Sequence, residues 1–266
     1  FDTQDVIKLK PEHLSICIPE LEKIQLYGNN LRIIDEAFEF LVPEASKSKK
    51  WQYFTPRLII DTCVKMLNPT NKEYVLDPSC WSAGFLVHTM QYVWEKYELN
   101  NYKQRYSYAW KHLYWIDFDE KSTKISKAIM LIAWDWKTNI FNENTLDYKK
   151  WSKKVRVWLE KERLIETEDN KELNFDIILS NPPFAGEIKE KDLMAQYRDI
   201  LDDRADRKKI ERHILFIQRI LDMLKPWGRT AIVLPQWVFN NSNEKYIREY
   251  IMEKARILWV LWLHWN

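Results

Sequence analysis

Residues 175–184 restrict the fold more than any other stretch. Phe175-Asp176-Ile177-Ile178-Leu179 is a short apolar run of the kind that forms a buried strand. Ser180 and Asn181 follow, and Pro182-Pro183 then ends the run, because neither proline donates to a ladder and each biases its predecessor away from helix. The strand therefore stops at a fixed point. It delivers an amide, a stiff turn and the ring of Phe184 to the carboxyl edge of a sheet, where ligands of open α/β sheets bind.

Strands and helices alternate around that stretch. Strands are expected at Glu73–Asp77, His112–Asp119, Asn139–Asp147, Arg229–Pro235 and Ala255–Leu261. Apolar residues at helical spacing mark Leu58–Leu67, the segment from Gly84 to about Tyr97, Ser122–Ile132, His213–Leu224 and Asn243–Lys254. Thr55 before Pro56 forms an N-cap and first-turn proline for the earliest of these. Residues 151–172 are charged and read as a surface excursion. Residues 185–209 are highly charged without strand periodicity and read equally as a loop that orders around substrate or a partner and as a solvated insertion; His213 reads as the exposed start of its helix. The alternation is that of an α/β fold with a mostly parallel sheet. Two helix-like stretches, 18–24 and 35–41, place the remnant of a helical region in residues 1–45 and the α/β domain in 46–266. The chain starts at Phe1 and stops straight after a strand-like run, so it reads as cut at both ends.

The Asn181-Pro182-Pro183-Phe184 turn suits one chemistry well. An exocyclic aromatic amine is a poor nucleophile because its lone pair is conjugated into the ring. Two acceptors on its two hydrogens would draw the nitrogen toward tetrahedral geometry and release that pair. The Asn181 side-chain oxygen and the Pro182 carbonyl are two such acceptors, with Phe184 a flat surface for the base. Earlier in the chain, Asp77-Pro78-Ser79-Cys80-Trp81-Ser82-Ala83-Gly84-Phe85 is a strand end, a turn of small residues and a helix start. Such a turn lets backbone approach a ligand and offers a helix N-terminus to a carboxylate. Asp117, at the tip of the next strand, is placed to accept from ribose hydroxyls, with Asp119 an equally good helix cap.

Composition narrows the class. Of the residues, 30% are charged and mean hydropathy is −0.50, and no apolar run approaches a membrane span. Cys17, Cys63 and Cys80 lack metal spacing and cannot all pair, which favours a reducing, cytoplasmic setting without a metal site. A net charge of +2 is near balance and lacks the strong basic excess of a protein that grips DNA by itself.

Taken jointly, Gln52-Tyr53-Phe54-Thr55-Pro56-Arg57, Ser82-Ala83-Gly84, Asp117, Asn181-Pro182-Pro183-Phe184 and Lys225-Pro226-Trp227-Gly228 resemble the modification subunit of type I restriction–modification systems, an N6-adenine DNA methyltransferase. The resemblance implies a Rossmann-like S-adenosylmethionine-dependent methyltransferase fold preceded by a partial helical segment. It implies that Gln52, Tyr53, Phe54, Thr55, Pro56, Arg57, Asp77, Pro78, Cys80, Ser82, Ala83, Gly84, Phe85, Asp117, Phe118, Asn144 and Thr145 hold S-adenosylmethionine. Asn181, Pro182, Pro183 and Phe184 would hold an adenine flipped out of double-stranded DNA. A specificity subunit and a restriction subunit would be the partners. Two other readings stay open: a protein-glutamine methyltransferase, against which the Phe-Thr-Pro block and the long insertions argue, and a non-catalytic scaffold of the same fold.

One departure from the family pattern runs through the chain. Trp51, Trp81, Trp115, Trp134, Trp136, Trp227, Trp237, Trp262 and Trp265 stand where the resemblance asks for glycine. The chain has 4 glycines and 14 tryptophans in 266 residues, whereas glycine averages roughly 7% of globular chains. At Trp81 an indole would crowd the cofactor turn. A gene in which UGA means glycine, translated as though UGA meant tryptophan, would yield this pattern; Trp151 and Trp94 fall outside it, and Trp110, Trp158 and Trp259 are unassigned. The rival is a tryptophan-rich homologue that no longer methylates.

Overall fold

The computed structural model describes residues 55–81, 83–132, 139–166, 171–201 and 208–263, with residues 10–12, 15 and 19 besides. The helical readings in residues 18–24 and 35–41, the Gln52-Tyr53-Phe54 block and Ser82 lie outside the described residues, apart from the isolated position 19.

Helix α1 (Arg57–Leu67) buries Ile60 and Val64, one turn apart, and is closed by Asn68, whose left-handed backbone directs its N–H to the Val64 carbonyl. Strand β1 (Val75–Asp77) leads through the small-residue turn into α2 (Gly84–Lys96). Helix α3 (Tyr102–His112) is capped by Asn101, which accepts from the Gln104 N–H, and runs directly into β2 (Leu113–Asp117). Asp119 accepts from both the N–H and the hydroxyl of Ser122, capping α4 (Glu120–Ile132), and β3 (Ile140–Asn142) follows.

Helix α5 (Lys153–Arg163) and an antiparallel pair, β4 (Leu164–Glu166) with β5 (Lys171–Leu173), precede β6 (Phe175–Ser180). Beyond it come β7 (Glu187–Ile188), α6 (Lys191–Met194), α7 (Arg198–Leu201) and β8 (Ile210–Glu211), with β7 and β8 paired antiparallel. Helix α8 (Arg212–Met223), β9 (Leu224–Ile232), α9 (Trp237–Asn240) and α10 (Lys245–Lys254) complete the described elements.

The central sheet has the order β3-β2-β1-β6-β9 and is parallel throughout. Side chains alternate between its faces, as a period of two requires. Val75, Leu113, Trp115, Ile177 and Leu179 pack against α1, α2 and α4. Leu76, Tyr114, Ile116, Phe175 and Ile178 pack against Leu159 of α5 and Ile220 and Met223 of α8. Burial on both faces explains why these strands read as continuous apolar runs. Each fully buried large side chain contributes about 1.5–3 kcal/mol.

Several sequence expectations are corrected. Of the two readings of residues 185–209, the solvated insertion does not hold for the described ones: Ile188, Leu193, Met194, Tyr197, Ile200 and Leu201 form a buried cluster with Ile210, α8 and α10. Residues 151–172 do carry a helix and a strand pair, yet Trp151 is buried in the core. His213 is fully buried rather than exposed, because the Phe184 backbone and Trp237 of α9 lie against it; its ring stands edge-on to Trp237 with centroids 6.0 Å apart. No strand forms at Ala255–Leu261 among the described residues, since no neighbouring ladder stands beside it, and Leu258 and Trp259 are exposed. Strand β9 begins five residues before the expected Arg229, absorbing Lys225-Pro226-Trp227-Gly228 in a bulge: Phe175 pairs with Leu224, but Ile177 pairs with Arg229. At Gly228 an added Cβ would lie 2.7 Å from Leu224 Cγ, so this position needs glycine.

Candidate functional site

The chain builds the sheet outward from β1 to β2 and β3, then returns to β1's other side for β6 and β9. The order thus reverses between β1 and β6. In open α/β sheets this reversal point is where ligands bind. Both sequence-marked turns leave the sheet at this point: residues 77–84 after β1 and residues 181–184 after β6.

Hydroxyls join the two turns. Ser79 Oγ and Ser180 Oγ are 2.9 Å apart, across 101 residues of sequence. The turn after β1 is further held by the Thr145 hydroxyl, which donates to the Pro78 carbonyl at 2.6 Å. The Cys80 N–H donates to the Ile116 carbonyl at 3.2 Å and the Trp81 N–H to Asp117 Oδ2 at 2.9 Å. The Ser126 hydroxyl donates to the Trp81 carbonyl at 3.2 Å. Asp117 Oδ1 accepts the Asp119 N–H at 2.8 Å, so the β2 tip carboxylate is oriented by two backbone donors. Trp81 and Ala83 have φ of 45° and 65°, both left-handed.

The turn after β6 is held differently. Asn181 Nδ2 donates to Thr55 Oγ1 at 2.9 Å, bringing the residue ahead of α1 onto the turn. Pro182 is buried, while Asn181, Pro183 and Phe184 are partly exposed. Helix α1 is itself tied to α2 by Asp61, whose Oδ1 lies 2.7 Å from His88 Nδ1. On the far side of the sheet's edge, Arg229 grips Glu73 with two bonds of 2.9 and 3.1 Å and donates to the Leu67 carbonyl. Burial opposes ionisation of Glu73, but the Arg229 bonds prevail and hold its carboxyl below the usual range.

Titration separates the two turns. Asp77 is buried beneath the first, and burial raises its pKa well above the ordinary carboxylate value, aided by the nearby Asp117 charge and opposed by the Ser79 N–H. Cys80 is buried as well, and burial with the Asp117 and Asp77 charges pushes its thiol upward, so it stays protonated and is no nucleophile. His213 lies beneath the second turn, near the Phe184 backbone, and burial lowers its pKa to about 4.

Among the described residues, hydrogen bonds tie Thr55 to Asn181, Ser79 to Ser180 and the backbone at 81 to Asp117, while Asp77, Pro78, Cys80, Ala83 and Gly84 lie along the first turn and Pro182, Pro183 and Phe184 along the second. Thr145 supports the first turn through its hydroxyl; Asn144 uses its side-chain oxygen to accept the Leu146 N–H at 3.1 Å. Phe118 sits at the rim, 76% exposed. Arg57 begins α1 and Phe85 is buried in the first residues of α2. Sequence reasoning misses the supporting Ser79, Ser126 and Ser180, because lone serines far apart carry no signal that could find them. No group of three or more His, Cys, Asp or Glu among the described residues could hold a metal ion.

The sequence profile of the N-6 DNA Methylase family matches residues 30–265. The chain belongs to that family. It is 25% identical over 269 aligned residues to the methylase subunit of the type I restriction enzyme StySPI of Salmonella potsdam, covering 95% of this chain and 45% of that protein. It is 24% identical to the EcoKI methylase subunit of Escherichia coli K12, with the same coverage. The chain thus spans about half the length of these relatives. Its fold is shared with the methyltransferase subunit of a type I restriction–modification system from Streptococcus thermophilus, with a TM-score of 0.61 and 17% identity over 91% of this chain and 47% of that one. Among the described residues no helix is long and apolar enough to cross a membrane.

Proposed function

We propose that this N-6 DNA methylase chain transfers a methyl group from S-adenosylmethionine to adenine N6 in DNA, as the modification subunit of a restriction–modification complex in the cytoplasm. The observation that carries the reading is the junction of the two turns: Ser79 and Ser180 are in contact at 2.9 Å, and Thr55 holds the Asn181 amide at 2.9 Å. The first turn offers backbone amides at a helix start, and the β2 tip offers an oriented carboxylate in Asp117. These fit an amino-acid carboxylate and a ribose diol respectively. The indole at position 81 does not fit, because its bulk stands where the turn should present bare backbone.

The bond to Thr55 commits the amide's NH2 end, and the carbonyl end of Asn181 takes the acceptor role that an aromatic amine requires. The Pro182 carbonyl is the second acceptor, on a backbone whose freedom the following proline removes. Phe184, partly exposed at the mouth, offers its face to the base. The cofactor supplies an electrophilic methyl. The chain's part is positioning and amine activation, and the surplus proton leaves to water once the methyl has moved. The target base must leave the duplex, since its N6 is otherwise paired and stacked.

A specificity subunit would read the sequence and a restriction subunit would cut. The +2 net charge supports a shared grip on DNA. The free Cys63 and Cys80 thiols support a reducing compartment. The test is transfer from S-adenosylmethionine labelled with tritium on the methyl group. Label in DNA at adenine N6 is expected; label in protein supports a glutamine methyltransferase instead, and no label in either supports a scaffold.

A further inference from the structure

We infer that positions 81 and 227 hold glycine in the protein its own cell makes, the tryptophans there arising from UGA codons that this cell decodes as glycine. The backbone carries the inference independently of any family pattern. Among the described residues the non-glycine positions with positive φ are Asn68, Trp81, Ala83, Glu98 and Trp227. Asparagine tolerates this region and here closes α1, alanine carries only a methyl group, and Glu98 lies just beyond α2, where a chain reversal takes a left-handed residue. A bulky side chain at such a φ is an outlier, and here there are two of them.

Nothing around Trp227 compensates for its φ of 67°: the side chain is 98% exposed. It adjoins Gly228, a position that admits no Cβ, within the same tight bulge of β9. At Trp81 the turn uses the backbone, its N–H bonded to Asp117 and its carbonyl to Ser126. Trp151 is the opposite case. Its indole N–H donates to the Asn144 carbonyl at 2.6 Å, its ring stands edge-on to Tyr148, and it is 4% exposed. That site is built for tryptophan. An indole N–H without a partner does not by itself mark a glycine position, because Trp115 and Trp94 share it while Trp94 also receives the Arg105 guanidinium over its ring.

The consequence reaches the proposed cofactor site, and this part alone rests on the S-adenosylmethionine reading. With hydrogen at position 81, the turn presents bare backbone beside Asp117, and with an indole it does not.

The deciding measurement is the gene's codons together with peptide masses of the protein purified from its own organism. UGA is expected at 81 and 227 with UGG at 151, and peptides spanning 81 and 227 should have glycine masses. UGG at 81 or 227, or tryptophan masses there, overturns the inference. A second measurement uses the chain with tryptophan at both positions as its starting point. Trp227→Gly should raise the unfolding midpoint by a few degrees and Trp227→Ala by less; a midpoint lowered by Trp227→Gly would count against a glycine site. Calorimetry with S-adenosylmethionine should show Trp81→Gly binding at least about tenfold tighter than the unaltered chain, roughly 1.4 kcal/mol. Should neither bind while the codons are UGA, the glycine assignment stands and the cofactor reading fails.

Discussion

The two turns at the carboxyl edge of the sheet meet the same demand for fixed geometry by opposite means. After β6, two prolines remove backbone freedom, so the backbone is stiff through its own residues, and one outside tie, to Thr55, fixes the Asn181 amide. After β1, the turn passes through left-handed positions at 81 and 83 and is held from outside by Thr145, Asp117 and Ser126. A turn that must present a side chain benefits from proline. One that must present its backbone needs small residues and external ties, and an indole at φ 45° costs it about 1–2 kcal/mol.

The largest expected effect tests the stiff turn. Asn181→Ala should lower methyl transfer to DNA on the order of 10²–10³-fold while S-adenosylmethionine affinity stays nearly constant. Equal activity would remove the amide from the chemistry. Thr55→Val, which keeps shape but loses the acceptor, should cost about tenfold in kcat, and Thr55→Ser should restore most of it. If valine and serine behave alike, Thr55 does not orient Asn181.

The junction between the turns is smaller in effect. Ser79→Ala and Ser180→Ala should each cost about 0.5–1.5 kcal/mol of folding stability, with the double variant costing less than their sum. Full additivity in denaturant titrations would mean that the 2.9 Å hydroxyl contact contributes nothing.

The buried groups under the turns make stability respond to pH in opposite senses. Asp77 has a folded pKa above its ordinary 3.8, so it costs stability as pH rises from that value through the raised folded pKa. Asp77→Asn should therefore stabilise the chain at neutral pH and lose that advantage in acid. His213, lowered from 6.5 to about 4, costs stability as pH falls through that interval. His213→Phe should flatten the acid side of the stability curve across it. A curve for either variant that merely parallels the original would show that the group's titration does not act on folding.

Much of the sheet was legible in the sequence because strands buried on both faces leave unbroken apolar runs, as at Phe175–Leu179 and Leu113–Ile116. The element after Asn181–Phe184 was not, since its charges mask a helical rhythm in Leu193, Met194, Tyr197, Ile200 and Leu201 that only a periodicity count would isolate. The burial of His213 was illegible for another reason. What covers it arrives from Phe184 and from Trp237 of α9, 29 and 24 residues away, and not from the rhythm of the helix it begins.

By itself the sequence determined that the strand before Asn181 ends at two prolines and that small residues surround the first turn, because those are properties of local chemistry and spacing. Tertiary structure alone decided that Ser79 meets Ser180 and that Thr55 holds Asn181, pairs 101 and 126 residues apart. Such contacts follow from the reversal of strand order between β1 and β6, which is set by how the whole sheet packs and not by any short stretch of chain.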